Sequence, residues 1–221
     1  MIKNMAKTLT LLCAISLLWG CDSQQDAVTV NDESYIEGVH FRQLDKAIEL
    51  EGAIAPSVIE IFWYGCSHCE KFEPQLQPWL KTLPDNVSFV RSPAIWSPIM
   101  LVHASAYYVA QVLKPSHDFH MQLFTRIMAL RNSNDVEYHK KQIAQLFTSQ
   151  GITAEEFERL YLSTQVSEKV VSSSNLMKMA NIQSTPTVII DGKYVLIASA
   201  FKSTDEMLAA ARTLFDHRTA N

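Results

Sequence analysis

Two hydrophobic rhythms alternate along this chain. Val58-Ile59-Glu60-Ile61-Phe62-Trp63 is apolar on both faces apart from Glu60. A short two-sided run of this kind reads as a central strand in a sheet covered above and below. Glu60 shares a face with Val58 and Phe62, which predicts a partly buried carboxylate. A helix is expected from Cys66 onward, kinked where Pro74 removes a backbone donor. Leu83-Pro84-Asp85-Asn86 reads as a turn, Val87 to Arg91 as a strand, and Tyr35 to Phe41 as an earlier strand.

From about Met100 to Lys178 the period lengthens to that of a helix. Leu101, Ala104, Tyr108 and Val112 form one stripe, and Phe119, Leu123, Phe124, Ile127 and Met128 another. Val136, Ile143, Leu146 and Phe147 come next, then Phe157, Leu160 and Tyr161. Gly151 predicts a helix stop, and Thr153 to Glu156 fits a capping box opening the following helix. Strand character returns at Pro186 to Ile190. Asp191-Gly192 is a hairpin turn, and Lys193 to Ile197 pairs back. A last helix is expected over Ser203 to Phe215. The order predicts an α/β domain over 35–99 and 175–221, with an all-helical domain, 100–174, inserted in it.

The N-terminus follows a different logic. Lys3 and Lys7 precede the apolar stretch Thr8 to Trp19, a basic segment followed by a hydrophobic one. The stretch is shorter than the roughly 20 residues a spanning helix needs, so it reads as an export signal over 1–20. Leu18-Trp19-Gly20-Cys21 resembles a bacterial lipoprotein signal, in which cleavage precedes a cysteine that then carries lipid. An ordinary cleaved signal and an uncleaved anchor are the alternatives. Asp22 resembles the residue that keeps such lipoproteins at the inner membrane. Residues 21–34 are polar and aperiodic, as in a flexible tether.

Composition narrows the chemistry. The 221 residues are 48% hydrophobic and 19% charged, which fits a packed core and excludes a disordered chain. Net charge is −4 with no basic run, so no nucleic-acid surface is expected. With Cys13 in the signal and Cys21 as the lipid site, only Cys66 and Cys69 remain for the fold. Cys66-Ser67-His68-Cys69 sits at a predicted helix start, where the helix end favours a thiolate on the first cysteine and the second lies one turn on. Such a pair can close into a disulfide, and export implies an oxidising compartment.

These pieces together resemble the DsbA-type thiol:disulfide oxidoreductases, a thioredoxin-like fold with a helical insertion. The resemblance covers roughly Tyr35 to Phe215. It rests on Glu60-x5-Cys66-Ser67-His68-Cys69-x2-Phe72-Glu73, on Thr185-Pro186-Thr187 and on Asp191-Gly192-Lys193-Tyr194. It implies that Cys66 is the exposed nucleophile, that Cys69 resolves mixed disulfides, and that His68 helps stabilise the Cys66 thiolate. Ser67 stands where proline is common in the family and tunes the redox potential. Pro186 matches a cis-proline loop facing the dithiol, with the Thr185 backbone pairing to an extended substrate. Glu60, Glu73 and Arg91 match a buried acid–acid–base cluster in which Arg91 replaces a usual lysine. A structural ion pair is the other reading of that cluster.

The resemblance further implies a monomeric periplasmic oxidase, needing no cofactor beyond its own disulfide. It would donate that disulfide to unfolded exported proteins with cysteines and be reoxidised by a DsbB-type inner-membrane oxidase. A reductase or isomerase is the first alternative. A metal-binding module is the second, although Cys66, Cys69 and His68 fall short of the four ligands that tetrahedral zinc takes. His117 and His120 have helix-face spacing, but the sequence shows no acidic or thiol partner for either. Trp63, Tyr64, Trp79 and Trp96 fit either a groove rim or simple packing.

Overall fold

A computed structural model describes residues 35–116 and 118–219. The export signal, Cys13, Cys21, the tether and His117 lie outside the described residues. Five strands form one mixed sheet: β1 (Phe41–Gln43), β2 (Ser57–Phe62), β3 (Ser88–Pro93), β4 (Thr187–Ile190) and β5 (Tyr194–Leu196), in the order β1-β5-β4-β2-β3. Only β2 and β3 run parallel, joined by α1 (Ser67–Leu80). Their register sets Glu60 directly opposite Arg91.

All six residues of β2 are buried, as its two-sided apolar pattern requires. Val58 faces a core built with Phe72 and Leu76 of α1 and with Leu208, Leu214 and Phe215 of α7 (Thr204–Thr219). Ile59 and Ile61 face the opposite core, with Ile189, Val195, Leu176 and Met177. Glu60 points to the same side as Val58 and is fully buried rather than partly so.

The helical insertion comprises α2 (Pro98–Leu113), α3 (Phe119–Ala129), α4 (Val136–Thr148), α5 (Ala154–Tyr161) and α6 (Thr164–Met179). Its core is aromatic: Phe119, Phe124, Phe147 and Phe157 are all buried, and Phe62 and Tyr64 reach into it from the strand side. Capping follows the sequence. Thr153 accepts from the Glu156 N–H at 3.1 Å, and Gly151 takes φ +83° past the end of α4.

Two further expectations change. The earlier strand begins at Phe41, not Tyr35, because Gly38 at φ +82° turns the preceding segment and leaves Ile36 and Val39 exposed. Leu101 is exposed, whereas α2 buries an unbroken run from Val102 to Val109. That helix packs against α3, α4, α5 and α6 at once, so a single stripe does not describe it. Helix α1 runs through both Pro74 and Pro78 and buries Phe72, Glu73 and Leu76. The Asp191-Gly192 turn forms as expected. Both residues have positive φ, and a Cβ on Gly192 would collide with the Ile48 carbonyl oxygen.

Candidate active site

Cys66 is the N-cap of α1 and Cys69 lies within its first turn. The turn before the helix is closed by the Cys66 N–H, which donates to the Trp63 carbonyl at 2.9 Å. The Cys66 sulfur then accepts from the Cys69 N–H at 3.4 Å. This is the N-cap interaction that a serine or aspartate oxygen makes elsewhere, here made by sulfur. As a thiol, Cys66 donates to the Thr185 carbonyl at 3.4 Å, which brings the Thr185–Pro186 loop over the dithiol. The Thr185–Pro186 peptide bond is cis.

The two cysteines are electrostatic opposites. The Cys69 side chain donates to Cys66, helped by the Thr185 side chain and the backbone N–H groups of Cys69 and His68. Together they outweigh burial and bring the Cys66 thiol down to about 5. Burial pushes the Cys69 thiol far up, and its donation to Cys66 adds to this. Cys66 is half-buried and Cys69 has no exposed surface. One sulfur is therefore an accessible thiolate and the other a buried thiol. The Ser67 and His68 side chains are both exposed, and it is the backbone of His68 that serves the sulfur.

One helical turn beyond Cys69, on the same buried face, is Glu73. Arg91 donates through Nε to Glu60 at 2.9 Å and to Glu73 at 2.9 Å, and through Nη2 to Glu73 at 2.8 Å. The three expected residues thus form one cluster. Burial and the adjacent Glu73 carboxylate push Glu60 up to about 8, whereas His120 and Arg91 outweigh the burial of Glu73 and hold it at about 2. Glu60 Oε1 has no hydrogen-bond partner among the described residues, a further reason for that carboxyl to stay protonated.

His120 belongs to this cluster, contrary to the sequence expectation that it lacks an acidic partner. Its Nε2 lies 3.1 Å from Glu73 Oε1 and its Nδ1 2.8 Å from the Tyr64 hydroxyl. The contact joins α3 to α1 across 47 positions of sequence, which no local spacing reveals. The rim aromatics also divide. Tyr64 is buried, Trp79 packs against the α1–α7 core, and Trp96 is exposed. The Trp63 indole donates to His103 Nδ1 at 2.9 Å. His103 Nε2 in turn lies 3.0 Å from His139 Nδ1, and His139 Nε2 lies 3.0 Å from the Ser133 carbonyl. This buried histidine pair is a second feature the sequence did not reveal. No group of three or more metal-ligating side chains converges among the described residues.

A family model described as thioredoxin matches residues 53–210. The thiol:disulfide interchange protein DsbA of Pseudomonas aeruginosa is 28% identical over 217 residues, covering 96% of each chain. The DsbA of Pseudomonas syringae is 27% identical over 219 residues, 99% of this chain and 97% of the relative. The crystal structure of Pseudomonas aeruginosa DsbA superposes with a TM-score of 0.75 at 26% identity, covering 86% of this chain and 97% of that one. The oxidoreductase NmDsbA3 of Neisseria meningitidis gives 0.68 at 25% identity, covering 84% and 98%. The match spans most of the chain and has the dithiol turn, the Thr185–Pro186 loop and the helical insertion inside it, so this chain belongs to the thioredoxin family and is a DsbA-type thiol:disulfide oxidoreductase.

Proposed function

We propose that the protein works as a periplasmic dithiol oxidase that passes the Cys66–Cys69 disulfide to exported proteins. A lipid on Cys21 would hold it at the inner membrane, and a DsbB-type membrane oxidase would recharge it. The observation that carries this reading is the opposed state of the two sulfurs. A thiolate at Cys66 stabilises the reduced protein, and the disulfide form has no such anion. Electrons therefore flow from substrate thiols into the enzyme.

The reaction balances on these residues. A substrate thiolate attacks Cys66 Sγ, the Cys66–Cys69 bond breaks, and Cys69 leaves as a sulfur that burial cannot tolerate as an anion. In this reading it takes a proton from the neutral Glu60 carboxyl, which shares Arg91 with Glu73, one helical turn beyond Cys69. The substrate's second thiolate then attacks the substrate sulfur of the mixed disulfide and expels Cys66, whose acidity makes it a good leaving group. Thr185 and Pro186, facing Cys66, are the surface on which an extended substrate would lie.

Equilibrating the purified protein with glutathione buffers tests the direction of transfer. The low Cys66 pKa predicts a protein that remains largely reduced until the buffer is strongly oxidising. Full oxidation under strongly reducing ratios would instead mark a reductase.

A further inference from the structure

We propose that His120 is the solvent-side end of the proton path that serves Cys69. The inference rests on the oxidase reading above, in which the Cys69 proton is exchanged with the buried carboxyl cluster. Five groups with exchangeable protons or charge face His120 or its partners: Glu60 and Tyr64 from the β2 side, Glu73 of α1, Arg91 of β3 and Tyr107 of α2. When Cys69 attacks Cys66 Sγ to release a mixed disulfide, its S–H bond breaks and the proton must enter this cluster. Glu60 already carries one proton. Glu73 is locked as a carboxylate by four donors, the Arg91 Nε, the Arg91 Nη2, the His120 Nε2 and the Gln77 Nε2. Arg91 has no lone pair to offer. Tyr64 and Tyr107 are acids, and burial makes them weaker ones. His120 is the remaining neutral base.

The contacts of His120 let it change protonation without losing a hydrogen bond. In the neutral ring Nε2–H donates to Glu73 and Nδ1 accepts from the Tyr64 hydroxyl. In the protonated ring Nδ1–H donates to the same hydroxyl, whose oxygen can accept as readily as it donates. His103 has no such freedom, because its Nδ1 faces the indole N–H of Trp63, which can only donate. Before transfer the charges of the cluster are those of Glu73 and Arg91. As Glu60 takes the Cys69 proton and passes its own to His120, Glu60 stays neutral and the cluster gains one positive charge on His120, beside the Glu73 carboxylate, until solvent removes the proton. The His120 side chain keeps 20% exposure, whereas the Glu60 side chain has none and the Glu73 side chain only 4%, so His120 is where these three groups meet water. In the forward reaction the same path runs inward: Cys69 takes the Glu60 proton, and solvent restores it through His120.

Rapid mixing of the reduced protein with oxidised glutathione separates the steps. A first, bimolecular phase reports attack by Cys66, and a second, unimolecular phase reports resolution by Cys69. His120→Gln keeps an N–H donor toward Glu73 but cannot titrate. The first phase and the final equilibrium with glutathione should match the wild type, which also certifies the fold. The second phase should slow by roughly 100-fold, the lower end of what positioned proton transfer contributes. It should lose the rise with pH that marks a neutral imidazole acting as base, and it should regain speed in proportion to added imidazole. If the first phase differs, His120→Asn, which keeps the contact toward Tyr64, replaces it under the same criteria. A second phase with wild-type rate and pH profile overturns the role of His120. A wild type that never reacts with glutathione overturns the oxidase reading instead.

Discussion

The stability gap between the reduced and oxidised proteins should depend on pH, because only the reduced form carries the Cys66 thiolate. The Cys66 thiol titrates at about 5 in the folded protein, against about 8.5 for an unperturbed cysteine in the unfolded chain. A depressed folded pKa stabilises the native state fully above the unfolded value, and that stability disappears as pH falls through the folded value. At pH 7 the folded thiol lies about two units above its pKa while the unfolded thiol remains protonated. At about 1.4 kcal/mol per unit this is about 2.7 kcal/mol, trimmed toward about 2 by water at the exposed side of Cys66. By the same cycle the disulfide becomes about 45–60 mV more oxidising than one opening to an ordinary thiol.

Denaturant unfolding of both redox forms between pH 4 and pH 8 reads this directly. The difference, reduced minus oxidised, should rise by up to about 1.4 kcal/mol per pH unit above pH 5 and flatten below it. Other titrating groups, His103 and Glu73 among them, are present in both forms and largely cancel. Cys69 does not intrude in this range, since its folded thiol titrates far above it. Cys66→Ser, which has no thiolate and cannot form the disulfide, should lose the part of the pH dependence that the reduced wild type shows above pH 5. A difference that is flat from pH 4 to pH 8 would refute the assignment of the thiolate to Cys66.

Burial and His139 hold His103 neutral down to about 3, so its contribution is complete above the unfolded value near 6.5 and falls away below it; at pH 5 the loss is about 2 kcal/mol. His103→Gln, which keeps a polar partner for Trp63, should show a smaller drop in denaturation midpoint between pH 7 and pH 5 than the wild type. Gly65→Ala would place a Cβ against the Trp63 indole; displacing that ring from His103 should cost about 1–3 kcal/mol by thermal melt and shift tryptophan emission. Cys21→Ser should move the protein from the membrane fraction to the soluble one while glutathione exchange is retained, and a wild type that fractionates as wholly soluble contradicts the lipid anchor.

Legibility in the sequence followed the range of the interaction. The dithiol turn lies within four residues at a helix N-terminus, so the placement of Cys66 at the helix start and of Cys69 one turn on is readable from the local sequence. β2 was equally plain, because burial on both faces leaves a run with almost no polar residue. The Thr185–Pro186 loop was placed by resemblance to a family, not by physics. His120 and the pair His103–His139 were beyond reach. Each meets its partner across 36 or more positions through contacts between separate helices. A lone histidine on an apolar helix face is the same string of letters whether it caps a carboxylate or fills a core. Leu101 failed for a related reason: a stripe drawn at helical spacing assumes one buried face, and α2 is covered by four other helices.

Two histidine networks flank the dithiol, and the difference between them follows from the partners each ring was given. The chain Trp63–His103–His139–Ser133 runs in one direction only. An indole N–H starts it and a carbonyl ends it, so each ring has one donor and one acceptor and any added proton breaks a bond. Such a chain fixes the indole that packs beneath Gly65, and through it the turn whose carbonyl receives the Cys66 N–H. The cluster around Glu73 is built the other way, from carboxylates, a guanidinium and a hydroxyl that can reverse its role. It can hold a proton in more than one place, on Glu60 or on His120. A site that must keep the geometry of Cys66 while the protonation of Cys69 changes in every cycle has use for both. The rigid chain holds the Trp63 turn, whose carbonyl receives the Cys66 N–H, and the adaptable cluster begins at Glu73, one helical turn beyond Cys69.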